Sequence, residues 1–125
     1  MRYEQLAAAW LDAVEKQKQV DYGDPQSVAG YNACTDSYRD IAKKIDQAYP
    51  EKIMAFADFL DSEDADVRVI CAVCLLELTH YPEAIEEKAL EVIRAHAESS
   101  WDAFGYQLWL EDWQQGRIQT QYTQA

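Results

Sequence analysis

Between Asp64 and His80 the chain reads DADVRVICAVCLLELTH, and this stretch limits the fold more than any other. Projected at about 100° per residue, Val67, Val69, Ile70, Cys71, Val73, Cys74, Leu75, Leu76 and Leu78 surround a helix axis on every side. A helix that is apolar all round offers no face to water, so it must lie at the centre of whatever forms. It needs helical neighbours, and the rest of the chain supplies them.

Five further segments carry the 3.6-residue period of amphipathic helices. The first spans Tyr3–Gln19, with Leu6, Ala9, Trp10, Ala13 and Val14 as its apolar stripe. Asp24 stands as an N-cap before Pro25, which opens a second segment ending at Tyr49. Its stripe is Val28, Tyr31, Thr35, Tyr38, Ala42, Ile45 and Tyr49, widened by Cys34 and Ile41. Gly30 costs roughly 1 kcal/mol inside a helix, which places the ordered start nearer Tyr31. Pro50 opens the third, Pro50–Leu60, built on Ile53, Phe56, Ala57 and Leu60. The central segment is the fourth, Ala65–Thr79. The fifth, Pro82–His96, carries Ile85, Ala89, Leu90, Val92 and Ile93. Ser99 or Ser100 caps the sixth, which runs to Gln115 and stops at Gly116. The polar tail 117–125 is expected to be flexible. No strand-like alternation competes, and the short links suit helical hairpins. The expectation is one all-α domain over residues 1–125, with about six helices in three stacked antiparallel hairpins.

Charge then narrows the partners. The chain holds 23 acids and 11 bases, a net charge of −12. A nucleic-acid binder needs a basic footprint to displace counterions, and an anionic membrane surface also attracts bases. Both are disfavoured, and a cationic protein partner is favoured. The bland counterpart is an ordinary acidic cytosolic protein, since charge governs solubility and association and not fold. The amphipathic N-terminus carries acids through its apolar stretch, unlike a signal peptide, and three cysteines make no disulfide framework. A cytoplasmic location is expected, with a monomer as the default state.

The residue pairs that could carry chemistry read better as structure. Cys71 and Cys74 form a CxxC, but in mid-helix among Ile70, Val73 and Leu75, where cysteine behaves as a small hydrophobe. A zinc site would need two more ligands at suitable spacing. His80 and His96 are the only histidines, each near a helix C-terminus, where a capping or surface role fits. Adjacent acids such as Glu86–Glu87 and Glu111–Asp112 point different ways around a helix and suit a solvated face. No nucleophile has a base beside it and no glycine-rich phosphate loop occurs. Neither enzyme activity nor a metal or cofactor is expected.

Two features do point to binding. Asp61, Glu63, Asp64 and Asp66 crowd one turn; Asp64 suits a helix cap, but capping does not require all four. In the sixth segment Trp101, Phe104, Gly105 and Leu108 lie on the side expected to face the core. Ala103, Tyr106, Trp109, Leu110 and Trp113 lie on another, and the polar strip of Gln107, Glu111, Gln114 and Gln115 is narrow. Either the tail or the first hairpin covers that second aromatic face, or a partner does. The candidate partner-binding residues are Asp21, Tyr22 and Asp24 of the first link, Asp61, Glu63, Asp64 and Asp66 of the turn, and Tyr106, Trp109, Glu111, Asp112 and Trp113 of the last helix.

The stretch FADFLDSEDADVRVICAVCLLEL resembles a HEAT-type repeat, in which two apolar helices flank a turn of the form L-x-[DS]-x-D-x-x-V-R. Leu60, Ser62, Asp64, Val67 and Arg68 match that pattern in order. Such turns imply a HEAT-like α-solenoid, with Arg68 reaching towards the neighbouring hairpin. A wider resemblance rests on GYNACTDSYRDIAKKI, DSEDADVRVICAV and WDAFGYQLWLEDWQQG. Over Tyr31–Gly116 the chain is similar to a bacterial group of short helical proteins, domain-of-unknown-function family 2019. The resemblance implies an immunity protein of a polymorphic toxin system, whose partner would be a cognate toxin domain. A HEAT-like adaptor docking a housekeeping protein is the other expectation.

Overall fold

The structure, a computed structural model, describes residues 1–19, 25–99 and 103–121, with the side chains of 25–28 excepted. The link Asp21–Asp24, including the expected cap at Asp24, and the candidate cap Ser100 lie outside these residues, as does Trp101. All regular structure among the described residues is helical: α1 (Tyr3–Gln17), α2 (Pro25–Ala48), α3 (Ile53–Phe56), α4 (Ala65–Leu78), α5 (Glu83–Ser99) and α6 (Ala103–Gln114). Within those residues no helix is long and apolar enough to cross a membrane.

Helix α4 is the centre. Asp64 accepts the backbone N–H groups of Asp66 (2.9 Å) and Val67 (3.3 Å), as an N-cap should. Val67, Val69, Cys71, Ala72, Cys74, Leu75, Leu76 and Leu78 are all buried. Around it pack Trp10 of α1, Ala42 and Ile45 of α2, Ile53 and Phe56 of α3, and Ile85, Ala89 and Ile93 of α5. Trp10 meets Phe56 edge-on at 5.1 Å, and both are fully buried. Side chains of this size each contribute about 2–3 kcal/mol by leaving water.

Named contacts fix the chain directions. Tyr49 at the end of α2 hydrogen-bonds the Met1 carbonyl, while Gln17 at the end of α1 bonds the Tyr31 carbonyl and Thr35. Helices α1 and α2 are therefore antiparallel. His96 and Ser99, late in α5, share a cavity with Ala65 and Arg68 at the start of α4, so that pair is antiparallel too. Gln107 donates to the Ala97 carbonyl, and Tyr81 just before α5 lies with Trp113 late in α6. Between α2 and α4 the pairs are Arg39–Glu77 and Asp46–His80; between α4 and α6, Glu77–Trp109. Helices α2, α4 and α6 consequently run one way, with α1 and α5 opposed.

Three expectations are corrected. The segment Pro50–Leu60 is not one α-helix but two 3-10 turns, Pro50–Lys52 and Ala57–Asp61, around the short α3. Either winding buries Ile53, Phe56, Ala57 and Leu60, so spacing does not separate them. Helix α2 passes through Gly30 without a break, since one glycine in a 24-residue helix is outweighed by packing along the rest. Ser99 ends α5, where its hydroxyl donates to the Ala95 carbonyl at 2.8 Å, and does not cap α6.

Candidate functional site

Half of the acidic turn is tied to the fold. Asp64 caps α4 and also holds Lys18 of the loop after α1. Asp61 pairs with Lys88 of α5 at 2.8 Å; with 66% and 46% of the two side chains exposed, such a pair is worth roughly 0–1 kcal/mol. Arg68 donates to the Ser62 carbonyl at 2.7 Å, so it braces its own turn and not a neighbouring hairpin. Glu63 is exposed and Asp66 half-buried, and neither makes an ion pair among the described residues. Asp21, Tyr22 and Asp24 lie outside the described residues.

Helix α6 is rotated from its expected setting. Phe104 and Leu108, assigned to the core, are 72% and 45% exposed, and Gly105 faces open space. The second face packs inwards instead: Tyr106, Trp109, Leu110 and Trp113 are half-buried against the core. Specific contacts explain the choice. Trp109 Nε1 donates to Glu77 Oε2 at 2.9 Å, and Arg39 donates to the other oxygen at 3.1 Å. Tyr106 meets the buried His96 ring edge-on at 4.8 Å, so His96 is not the surface histidine expected from its position. The Trp109 indole satisfies its polar tip here, which Phe104 and Leu108 cannot do. Trp113 stacks on Trp109 at 5.3 Å and 14°. Glu111 stays exposed, and Asp112 pairs with Arg117 at 3.0 Å.

Gly116, at φ 70°, turns the chain after α6. Its N–H bonds the Trp113 carbonyl (3.0 Å) and the Arg117 N–H bonds the Asp112 carbonyl (2.8 Å), a Schellman closure. The chain then doubles back far enough to bury Thr120. A cavity of about 470 Å³ opens there, lined among the described residues by Tyr81, Glu83, Glu86, Trp113, Gly116, Ile118 and Thr120. The Tyr81 hydroxyl donates to Glu86 at 2.8 Å. Glu83 is exposed and has no ion pair among the described residues. A second cavity, about 290 Å³, lies along α2, α4 and α6, with Tyr38, Arg39, Cys74 and Trp109 in its wall. Burial raises the Tyr38 phenol above its usual value, opposed in part by hydrogen bonds from Thr35 and Gln17.

The CxxC is core, as its setting suggests. Both thiols are buried; burial pushes Cys71 well up, and Cys74 up to about 12 against a weaker opposing pull from the Trp10 indole N–H. Trp10 Nε1 is buried and makes no hydrogen bond among the described residues. A neutral thiol is a poor nucleophile and a poor metal ligand. The backbone N–H and Nδ1 of His80 lie 2.8 and 2.7 Å from the two carboxylate oxygens of the buried Asp46. That contact ties the end of α2 to the α4–α5 connection.

The site residues missed by sequence reasoning are Tyr81, Glu83, Glu86, Ile118 and Thr120, together with Glu77 and Arg39, which set the tryptophans. Glu83 and Glu86 share a helix face at i, i+3, which was a usable signal; the return of the tail was not encoded in any periodicity. Comparisons with protein-family models, with curated proteins and with solved structures each found no match.

Proposed function

We propose that this chain is an immunity protein that binds and neutralises a cognate toxin domain, of a cationic nuclease type, in a bacterial polymorphic or contact-dependent toxin system. The observation that carries the reading is a fixed aromatic wall standing among uncompensated acids. Even if all 11 bases paired, 12 of the 23 acids would remain bare. Around Trp113 the carboxylates of Glu83 and Glu86, with no ion pair among the described residues, lie beside a ring already held by Trp109 and, through it, by Glu77. Preordered aromatics supply affinity, and an acidic field supplies speed of encounter. Lying over a nuclease active site, the carboxylates would occupy positions that substrate phosphates would take. The protein would act in the cytoplasm, where such a toxin arrives.

The test is co-purification with the product of the adjacent toxin gene, and protection of cells expressing it. Association should slow steeply as salt rises through a few tenths molar, where the Debye length falls below about 8 Å. A salt-indifferent rate, or no protection, sinks the reading.

A HEAT-like adaptor on a housekeeping protein is the second reading. The shared direction of α2, α4 and α6, with a cavity along all three, supports it, since solenoid scaffolds bind along such a row. Absence of any toxin gene nearby would favour it.

A further inference from the structure

The cavity between the start of α5, the end of α6 and the returning tail has a specific chemistry. Its wall includes the half-buried Trp113 ring, one face of which is covered by Trp109, so the ring is held in place and its remaining surface borders the cavity. Two carboxylates, Glu83 and Glu86, share that lining, with no cation among the residues named. The nearest basic residue in sequence, Arg117, is engaged by Asp112. The N-terminus of α5 adds about +0.5 charge, far short of cancelling two carboxylates. Tyr81 donates to one Glu86 oxygen. At about 470 Å³ the space falls within the roughly 300–1,000 Å³ of ligand pockets.

We infer that this cavity receives an arginine side chain from a protein partner, its guanidinium lying against Trp113 and donating to Glu83 and Glu86. Three features select that group. An indole beside carboxylates attracts a cation both through the ring quadrupole and through charge. A planar guanidinium can stack and donate at once, whereas an ammonium is a strongly hydrated point charge. The aliphatic stem of arginine suits the Ile118 wall. The inference deepens the immunity reading and rests on it for the partner's basic character, but its test needs no toxin.

The probe is an acetylated, amidated Gly-Arg-Arg-Gly peptide, titrated into the whole chain labelled with 5-fluorotryptophan. The Trp113 fluorine resonance, assigned with Trp113→Phe, should shift saturably. The matching citrulline peptide, which keeps the shape and loses the charge, should not move it. The double variant Glu83→Gln, Glu86→Gln keeps an acceptor for Tyr81 and should bind about tenfold more weakly, as the loss of charge-assisted hydrogen bonds implies. Glu51→Gln with Glu98→Gln removes the same charge elsewhere and should leave binding unchanged. The inference is overturned if the citrulline peptide shifts Trp113 equally, or if the two double variants weaken binding alike. An unresponsive Trp113 would remove this cavity and leave toxin capture to be judged separately; a chain that binds the peptide but captures no toxin would lose the immunity reading alone.

Discussion

Helices α4 and α6 are both rich in apolar residues, and they solve the problem differently. Helix α4 has neighbours on most sides, so Val67, Leu75 and Leu76 are all buried though they point different ways, and Ile70 and Val73 are left half-buried. Among the described residues helix α6 has neighbours on one side, and Phe104 and Leu108 on the other are exposed. Of its two apolar faces one is left in water, and the face that goes inwards is the one whose rings carry hydrogen-bonding tips. Surplus apolar surface is harmless where neighbours surround a helix; at an edge it forces a choice, and the hydrogen bond to Glu77 with the edge-on ring contact at His96 makes it.

Substitutions can break that contrast. The largest effect is expected in α4: Leu75→Ala should cost about 3–4 kcal/mol in urea unfolding, because a cavity is left with no route to collapse. A smaller loss than Trp109→Ala gives would undo the ranking of the two helices. Trp109→Ala removes the stack on Trp113 and the bond to Glu77, and about 2–3 kcal/mol is expected for a half-buried tryptophan. Gly116→Ala should cost about 1–2 kcal/mol through its positive φ alone, since an added Cβ meets nothing within 4 Å. Calorimetry should show the midpoint falling, and Thr120 amide exchange should quicken as the tail loosens. The smallest effect belongs to Phe104→Ser with Leu108→Ser, which should change stability by less than about 0.5 kcal/mol each. A loss of several kcal/mol there would restore the originally expected face.

Alkaline pH probes α4 without substitution. Folding raises the Cys74 thiol from 9.0 to about 12, so the folded state holds its proton where the unfolded chain releases it. Both states are protonated below pH 9, and the contribution is flat there. Stability should fall as pH climbs from about 9 towards 12, and Cys74→Ser, which does not ionise in that range, should shrink that limb of the curve, the buried Cys71 thiol carrying what is left. No comparable loss is expected from α6, where no thiol is buried.

What was legible follows the same division. The all-helical class, the centrality of 65–78, the Asp64 cap and the buried CxxC are local matters, and spacing with residue type reads them directly. The turn acids were legible as a cluster but not as partners, because Lys18 and Lys88 reach Asp64 and Asp61 from 46 and 27 residues away. The acid–aromatic cavity escaped because Glu83, Trp113 and Thr120 share no sequence window.

The amino-acid sequence alone determined that this chain forms helices, which of them lies at the centre, and that its surface must remain acidic, since each depends only on composition and on period along one segment. The tertiary structure decided which apolar face of α6 met the core and which acids stayed bare. Those outcomes depend on the joint placement of α2, α4, α5 and the returning tail, and no single segment carries that information.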